Sequence, residues 1–301
     1  MRPDIQMDRM ANLRGSLWMV AAMAIFALED ALIKAASATL PVGQLLILFG
    51  IGGTLVFAGL ARINKDRLFA PEVLSPPMRI RAVFEISGRL FYVLALALTP
   101  LSATTVILQA TPLVVVGSAA VVFGEKVGWR RWTAIVIGLI GVVVIIQPGS
   151  DSFSVLSILA VAGMIGFAGR DLASRAAPAA LGTNVLGFYG FLAVIIAGAI
   201  FSLWQAAPFR ALDATSAGAL IGATIAGVTA YSFLMKAMRT GEVAAVTPFR
   251  YTRLLFGIAL GVGVFGEEMS VPMMVGSGLI VVSGLFILWR GKQVGAPSAH
   301  R

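Results

Sequence analysis

The chain of 301 residues contains no cysteine, one histidine and few charged side chains. Charged residues make up 12% of the sequence, whereas an ordinary soluble domain carries about 25%. A chain without cysteine has no disulfide framework. The charged side chains are also too few to cover a water-facing surface or to keep a chain disordered in water. These scarcities exclude a soluble globular enzyme, a disordered protein and a disulfide-stabilised secreted domain.

Apolar residues take the place of the missing charge, since 58% of the sequence is hydrophobic and the mean hydropathy is +0.93. A helix that crosses a membrane needs about 20 mostly apolar residues, because the hydrocarbon core is about 30 Å thick. The stretches that meet this requirement are 15–35, 42–61, 80–98, 102–123, 132–146, 153–173, 183–203, 217–238, 243–265 and 272–289. The sequence therefore predicts an all-α membrane protein with ten transmembrane helices.

The distribution of lysine and arginine predicts the orientation. Net charge is +9, and seventeen of the 23 basic residues fall on the side of the bundle that also holds both ends of the chain. The opposite side has only Lys34 and Arg210. Because basic loops stay in the cytoplasm, we predict a multi-pass protein of the bacterial inner (plasma) membrane with both termini cytoplasmic. The positive charge orients the bundle and indicates no nucleic-acid partner.

The motif Phe-Gly-Glu occurs twice, at residues 123–125 and 265–267, each time after a long apolar run and before a glycine-rich stretch. When the motifs are aligned, each half of the chain contains five spans. Because five is odd, the halves must enter the membrane from opposite sides. Inverted repeats of this kind are typical of transporters, with the substrate site between the halves near the midplane. The alternative is a chance likeness between helices rich in glycine, valine and leucine.

This division predicts four segments: an N-terminal cytoplasmic tail over 1–14, a first five-helix repeat over 15–149, a second over 150–291, and a C-terminal cytoplasmic tail over 292–301. The two motif glutamates, Glu125 and Glu267, lie at helix ends. We expect them to satisfy backbone groups at the turns.

The third span contains Glu85 and Arg89, which are four residues apart and lie on one helical face with Tyr92. A charge at the centre of a span costs about 3 kcal/mol, so each one needs a reason. We predict that Glu85 pairs with Arg89, and that Arg89 and Tyr92 face a substrate cavity. A purely structural ion pair is the alternative.

The ninth span contains Arg250 and Arg253 with Tyr251 between them, and no acidic residue lies within a turn. Two like charges at this depth require carboxylates from another helix, a wet cavity or an anionic ligand. We predict that all three residues bind substrate, and that Glu29 or Glu85 partners the arginines.

The first span ends with Glu29, Asp30 and Lys34. The spacing predicts an Asp30–Lys34 pair at the outer interface. Glu29 lies deeper and points about 100° away from Asp30, which favours the cavity. Because a buried carboxylate can carry a proton, Glu29 and Glu85 are candidates for proton coupling or ion pairing.

The fourth span has a polar face that includes Gln109, followed by Pro112. Proline removes a helical hydrogen bond and frees a carbonyl group. Pro248 occupies the ninth span, the corresponding helix of the second half. Interrupted helices in matching positions point to a transporter's binding site, so we predict that Gln109 contributes to substrate binding.

Motifs for chemistry are missing from the sequence. It has no HExxH, no nucleophile–base pair and no phosphate-binding loop. We therefore expect no enzyme activity, no metal, no cofactor and no ATPase partner. A passive channel would need a ring of repeated polar residues, whereas two inverted halves supply only pairs.

At several positions the sequence resembles a known family. Residues 100–105 read Pro-Leu-Ser-Ala-Thr-Thr, and Pro112, the motif at 123–125, Gly138 and Gly141 follow. Residues 241–245 and 265–267 are similar in the second half. These features resemble the EamA repeat of the drug/metabolite transporter superfamily, over essentially the whole chain. The chain departs from the family at residues 48–50, Leu-Phe-Gly, where members often have an arginine.

The resemblance implies a basket-like bundle of ten helices that moves small metabolites by alternating access. The fourth and ninth helices would cross near a central cavity, with the fifth and tenth at the periphery. The favoured function is a secondary transporter that exports an amino acid or a related compound, with the lipid bilayer as its surroundings. The alternative is uptake of a vitamin or cofactor, such as a flavin- or nucleoside-like molecule. Neither the direction of transport nor the oligomeric state follows from the residues.

Overall fold

The computed structural model describes residues 3–122, 124, 127–147, 154–178, 180–240 and 246–295. This part of the chain folds into eleven α-helices and two short 3₁₀-helices, and it contains no β-strand. The α-helices are α1 (Pro3–Ser37), α2 (Val42–Asn64), α3 (Pro76–Leu98), α4 (Leu101–Leu108), α5 (Thr111–Val122), α6 (Trp129–Ile146), α7 (Ser157–Arg175), α8 (Thr183–Gln205), α9 (Ala214–Thr240), α10 (Thr252–Phe265) and α11 (Val271–Gly295). The 3₁₀-helices are Pro71–Leu74 and Thr247–Tyr251, of which the second leads directly into α10.

A helix lies at each of the ten predicted spans, with α4 and α5 together forming the fourth. Within the described ranges, seven helices are long and apolar enough to cross a membrane, counting α4 and α5 as one, and the Val271–Ile287 part of α11 is a further apolar segment. Helix α3 is not among the seven because it carries Arg81, Glu85 and Arg89. The prediction of an all-helical membrane protein is confirmed.

The ends of the predicted segments lie partly outside the described residues. The boundary between the halves, at 149–150, is outside them, as are residues 296–301 of the predicted C-terminal tail. The predicted N-terminal tail is helical from Pro3, because α1 begins there and continues without a break into the first span.

Helices pack in pairs that come from opposite halves of the chain. Helix α1 packs on α9, α2 on α8, α3 on α7, α4 on α10, and α6 on α11. Helix α1 also contacts α10, and α5 contacts α7. This set of pairs is symmetric. When every span in the first half changes places with the span five positions later in the chain, the same five pairs result. A two-fold relation between the halves would produce such a set.

Small residues bring paired helices close together. A Cβ atom on Gly88 of α3 would lie 3.0 Å from the backbone of Gly166 in α7. A Cβ atom on Gly198 of α8 would lie 2.8 Å from the carbonyl oxygen of Gly43 in α2. Glycine at these points lets the backbones approach, which favours packing between helices in a bilayer.

Glu267 follows α10 and binds the beginning of α4. Its carboxylate accepts the backbone N–H groups of Leu101 at 2.5 Å and Ser102 at 2.9 Å, and the Ser102 hydroxyl at 2.6 Å. These N–H groups have no partner within the helix, so the carboxylate caps it. The prediction that Glu267 satisfies backbone groups is confirmed, whereas Glu125 lies outside the described residues.

Candidate functional site

Charged side chains buried between the helices form two groups. The Asp30 cluster consists of Glu29, Asp30, Arg89, Tyr92 and Arg253, which belong to α1, α3 and α10. The Glu85 cluster consists of Arg81, Glu85, Arg170 and Asp171, which belong to α3 and α7. Each cluster contains two acids and two arginines.

Asp30 is fully buried, and one of its two oxygens collects the contacts of the cluster. Its Oδ2 atom lies 2.6 Å from Nη2 and 3.2 Å from Nε of Arg253, and it accepts the Tyr92 hydroxyl at 2.9 Å. Arg253 Nη2 also lies 3.4 Å from the Tyr92 oxygen. One carboxylate oxygen therefore joins α1, α3 and α10.

The adjacent acid, Glu29, pairs with Arg89 of α3 at 3.2 Å. The Arg89 guanidinium lies 5.6 Å from the ring centre of Phe49 and 5.8 Å from that of Phe167. Arg253 lies 5.1 Å from the ring centre of Phe26. Aromatic faces attract cations at these distances and also exclude water, which strengthens the ion pairs beside them.

The Glu85 cluster joins α3 to α7. Glu85 lies 3.3 Å from Arg81 and 3.4 Å from Arg170. Arg170 also pairs with its neighbour Asp171 at 2.8 Å, and Arg81 donates to the Ser174 hydroxyl at 3.0 Å. The contact between the adjacent residues Arg170 and Asp171 is therefore part of a larger network.

Phe167 of α7 lies between the two clusters. Its ring centre is 5.8 Å from the Arg89 guanidinium and 4.7 Å from that of Arg170. The ring also meets Tyr92 edge-on at 5.5 Å. A single aromatic side chain therefore separates two sets of buried charges.

Two of the predicted ion pairs are wrong. Glu85 does not pair with Arg89, because Arg170 and Arg81 take the Glu85 carboxylate while Glu29 takes Arg89. The i,i+4 spacing places two side chains on one helical face, but it does not decide whether a neighbouring helix supplies a better partner. Arg253 likewise pairs with Asp30, and neither Glu29 nor Glu85 is its partner.

The predicted pair between Asp30 and Lys34 is also wrong. Lys34 donates to the carbonyl oxygens of Leu96 at 3.2 Å and Thr99 at 2.6 Å, and it lies 3.9 Å from Glu267. The last carbonyls of α3 lack helical partners and attract the lysine. Asp30 is therefore part of the buried cluster and pairs with Arg253.

Three of the predicted site residues lie outside the Asp30 cluster. Gln109 donates to the backbone carbonyl of Arg250 at 2.9 Å and so joins the fourth span to the ninth. The Tyr251 hydroxyl packs against Gly284 of α11. The Arg250 side chain is partly exposed and forms no hydrogen bond or ion pair with the described residues.

Sequence reasoning missed Asp30, Arg81 and Arg170 as members of the buried network. A signal for Asp30 was present, since it stands beside Glu29 in a span while the arginines of the ninth span have no local partner. The charge distribution alone places Arg81 among the seventeen basic residues that orient the bundle, although it is buried and ion-paired.

The fourth and ninth spans are both irregular near the clusters. Helix α4 ends at Leu108, and α5 begins at Thr111, just before Pro112. Pro248 lies within the 3₁₀-helix Thr247–Tyr251, which becomes α-helical only at α10. When the Phe-Gly-Glu motifs are aligned, the break at Gln109 corresponds to the point where this 3₁₀-helix ends. The helices touch where Thr105 packs on Gly257.

The two ends of the bundle differ. At one end, the contacts of Lys34 and Glu267 join the ends of α1, α3 and α10 to the start of α4. We call these contacts the Glu267 clasp. At the other end is a polar cavity of about 530 Å³, lined by Asn64, Asp66, Gly182, Thr183, Asn184, Ser232, Met235, Lys236 and Thr240.

Comparison with known proteins decides the family. Residues 13–147 and 155–289 each match the EamA-like transporter family. The chain belongs to this family. It is thus a multi-pass membrane protein of a transporter family, and the resemblance seen in the sequence is confirmed.

Several EamA-type relatives carry names that describe different cargoes. The chain is 26% identical over 280 residues to the pseudopaline exporter CntI of Pseudomonas aeruginosa, covering 93% of this chain and 97% of the relative. It is 25% identical over 215 residues to an S-adenosylmethionine uptake transporter of Rickettsia conorii, covering 71% and 72%. It is 25% identical over 288 residues to a riboflavin transporter of Vibrio cholerae, covering 93% and 95%.

A solved crystal structure has a similar fold. It superposes with a TM-score of 0.62 at 20% identity, and the match covers 93% of this chain and 98% of the other. The likeness supports the arrangement of helices.

Proposed function

We propose that the protein is a secondary transporter that exports a small zwitterionic metabolite, an amino acid or a related compound, across the bacterial inner membrane. The observation that carries this proposal is the Asp30 cluster, in which Arg89 and Arg253 are paired with buried acids between helices of both halves. Ionisable groups at this depth are costly and usually serve function.

The charge balance of the cluster supports a zwitterion as cargo. Its two acids and two arginines sum to zero, and an uncompensated charge among them would be expensive. A cargo with one positive and one negative group can exchange partners with the cluster without adding net charge. Arg89, Tyr92 and Arg253 are the proposed substrate-binding residues, and Gln109, Arg250 and Tyr251 flank them where the fourth and ninth spans cross.

Two inverted repeats would supply the alternating access that such transport needs. The set of helix pairs supports them, as do the matching breaks in the fourth and ninth spans. Left-handed residues also recur at corresponding helix ends, at Lys65 and Ala206 and at Gly124 and Gly266.

The proposed orientation indicates which end of the bundle faces the cytoplasm. With both termini in the cytoplasm, the polar cavity beside Asn64 and Lys236 opens inward, and the Glu267 clasp closes the outer end. An exporter would load its cargo from this side.

A second candidate function is uptake of a flavin- or nucleoside-like compound. The names of the S-adenosylmethionine and riboflavin relatives favour it. The rings of Phe26, Phe49 and Phe167 beside the arginines would suit a flat conjugated group.

Glu29 or Glu85 would carry the proton if transport is driven by a pH gradient.

Reconstituted protein tests these functions. We expect proteoliposomes to move at least one L-amino acid, and the rate to fall when the pH gradient is collapsed if a glutamate carries the proton. If riboflavin or S-adenosylmethionine is transported and no amino acid is, then uptake of a flavin- or nucleoside-like compound is the better account of the function. If none of these compounds moves, the proposed function is wrong.

A further inference from the structure

Two buried polar atoms in the Asp30 cluster have no hydrogen-bond partner among the described residues. They are Oδ1 of Asp30 and Nε of Arg89. Buried polar atoms are nearly always paired, because an unpaired one loses its hydrogen bonds to water without replacing them, and this loss is greater if the atom is charged. One of these atoms is a negative acceptor and the other a positive donor.

We propose that these two atoms bind the head of an α-amino acid. Asp30 Oδ1 accepts a hydrogen bond from the ammonium group, and Arg89 Nε donates one to the carboxylate. The inference rests on the proposed function, and it adds Asp30 to the binding residues and assigns each charged group of the cargo to one protein atom.

The remaining contacts of both side chains fix these atoms in position. Arg253 and Tyr92 both bind Oδ2 of Asp30, so the carboxylate is oriented and Oδ1 is left free. Arg89 is held through Nη1 by Glu29 and lies against Phe49 and Phe167, which leaves Nε free. Binding groups that are already ordered lose little entropy when the ligand arrives.

Glu29 is less suited to receive the ammonium group. Its carboxylate lies against α9, where a Cβ atom on Gly227 would be 3.3 Å from Oε2, and its Oε1 atom is bound to Arg89. Of the two acids, only Asp30 has a fully buried oxygen without a hydrogen-bond partner among the described residues.

This arrangement predicts that both charged groups of the cargo are required. An amine without a carboxylate leaves Arg89 Nε unpaired, and a carboxylic acid without an amine leaves Asp30 Oδ1 unpaired. A lost hydrogen bond to a charged group is worth about 1.5–3 kcal/mol, so either analogue is expected to bind about tenfold more weakly or worse.

Thermal unfolding of the purified full-length protein in detergent tests this requirement. The twenty L-amino acids are screened first, and each one that raises the Tm is compared with its decarboxylated amine and its deaminated acid. For L-methionine these are 3-(methylthio)propylamine and 4-(methylthio)butanoate. We expect at least one amino acid to stabilise the protein and its two analogues to require about tenfold higher concentrations or more.

Variants then assign the ammonium contact to Asp30. Asp30→Asn is expected to lose the stabilisation by the amino acid, whereas Asp213→Asn is expected to keep it. Asp213 is the matched control because it lies exposed in the loop before α9 and binds only the start of that helix. If Asp30→Asn does not fold, the double variant Asp30→Asn/Arg253→Gln removes both charges and leaves neither unpaired.

Equal stabilisation by the amine and the amino acid, or full stabilisation of a folded Asp30 variant, would overturn the inference. So would a screen in which no amino acid binds. If riboflavin is nevertheless transported in proteoliposomes, only the inference and the amino-acid cargo fail, and a transporter remains. The transport function itself fails only when no compound moves.

Discussion

At the scale of single residues, the adjacent acids Glu29 and Asp30 form ion pairs with different helices. Successive side chains on a helix point about 100° apart, so Glu29 reaches Arg89 of α3 while Asp30 reaches Arg253 of α10. One of these partners belongs to the first half of the chain and the other to the second. The Glu29–Arg89 pair thus lies within the first half, the Asp30–Arg253 pair joins the two halves, and the two acids are neighbours on α1.

Replacing Arg253 tests this connection. We expect Arg253→Ala to insert into the membrane and to lose transport, because Asp30 is left as a buried charge without its main partner. Leaving a buried charge unpaired costs about 3–5 kcal/mol of stability, so the Tm of the purified variant is also expected to fall. Transport is measured in proteoliposomes and insertion by recovery in the membrane fraction.

Two further variants separate stability from transport. Arg130→Ala, at an exposed helix end beside Trp129, is the control and is expected to leave both unchanged. The double variant Asp30→Ala/Arg253→Ala is expected to recover part of the stability but no transport. Full transport in Arg253→Ala would remove this residue from the site.

At the scale of helices, the crossing of the fourth and ninth spans is both tight and irregular. Thr105 packs on Gly257, and Gln109 binds a carbonyl of the 3₁₀-helix next to it. Glu267, at the far end of the ninth span, caps the start of the fourth. The two helices therefore contact each other at both their irregular segments and their ends, so a movement at the end can reach the site.

The Glu267 clasp is expected to close the outer end. We expect Glu267→Ala to lower stability by about 1–2 kcal/mol, as for the loss of a helix cap. It is also expected to raise several-fold the labelling of Thr104→Cys, a position buried beneath the clasp. Labelling with a thiol reagent is clean here because the chain has no cysteine of its own.

Glu268→Ala is the matched control, since its side chain is exposed beside Glu267. It is expected to change neither stability nor labelling. Equal labelling of Thr104→Cys with and without Glu267 would mean that the clasp does not close the outer end.

At the scale of the whole molecule, the helix pairs are unchanged when the two halves are exchanged. Helices α2 and α8 are corresponding members, and each ends in a left-handed residue after Asn64 or Gln205. If the halves are inverted, these two helix ends lie on opposite sides of the membrane.

Labelling of intact cells tests the inversion. We expect a membrane-impermeant maleimide to label Gln205→Cys and not Asn64→Cys, because the proposed orientation places the second on the cytoplasmic side. Both positions are exposed, so a difference between them reflects the membrane and not burial. Permeabilised cells are the control, in which both are expected to react. Labelling of both or of neither in intact cells would contradict inverted repeats, and the reverse result would contradict the proposed orientation.

The sequence by itself was sufficient for the membrane class, the ten helical stretches and the family. Each of these depends on local properties, namely the length of apolar runs and the motifs at 100–105, 123–125 and 265–267. The presence of buried charges in the first, third and ninth spans was also readable, since Glu29, Arg89 and Arg253 interrupt apolar stretches.

Only the tertiary structure decided which charges pair. Spacing along one helix suggested Glu85 with Arg89 and Asp30 with Lys34, yet Asp30 binds Arg253, more than two hundred residues away in the sequence. Such pairs depend on which helices are neighbours and how they are rotated, and no local pattern contains that information. In a low-dielectric interior a charged side chain pairs with the closest opposite charge, because attraction falls with distance. Packing between α1, α3, α7 and α10 determines which opposite charge is closest.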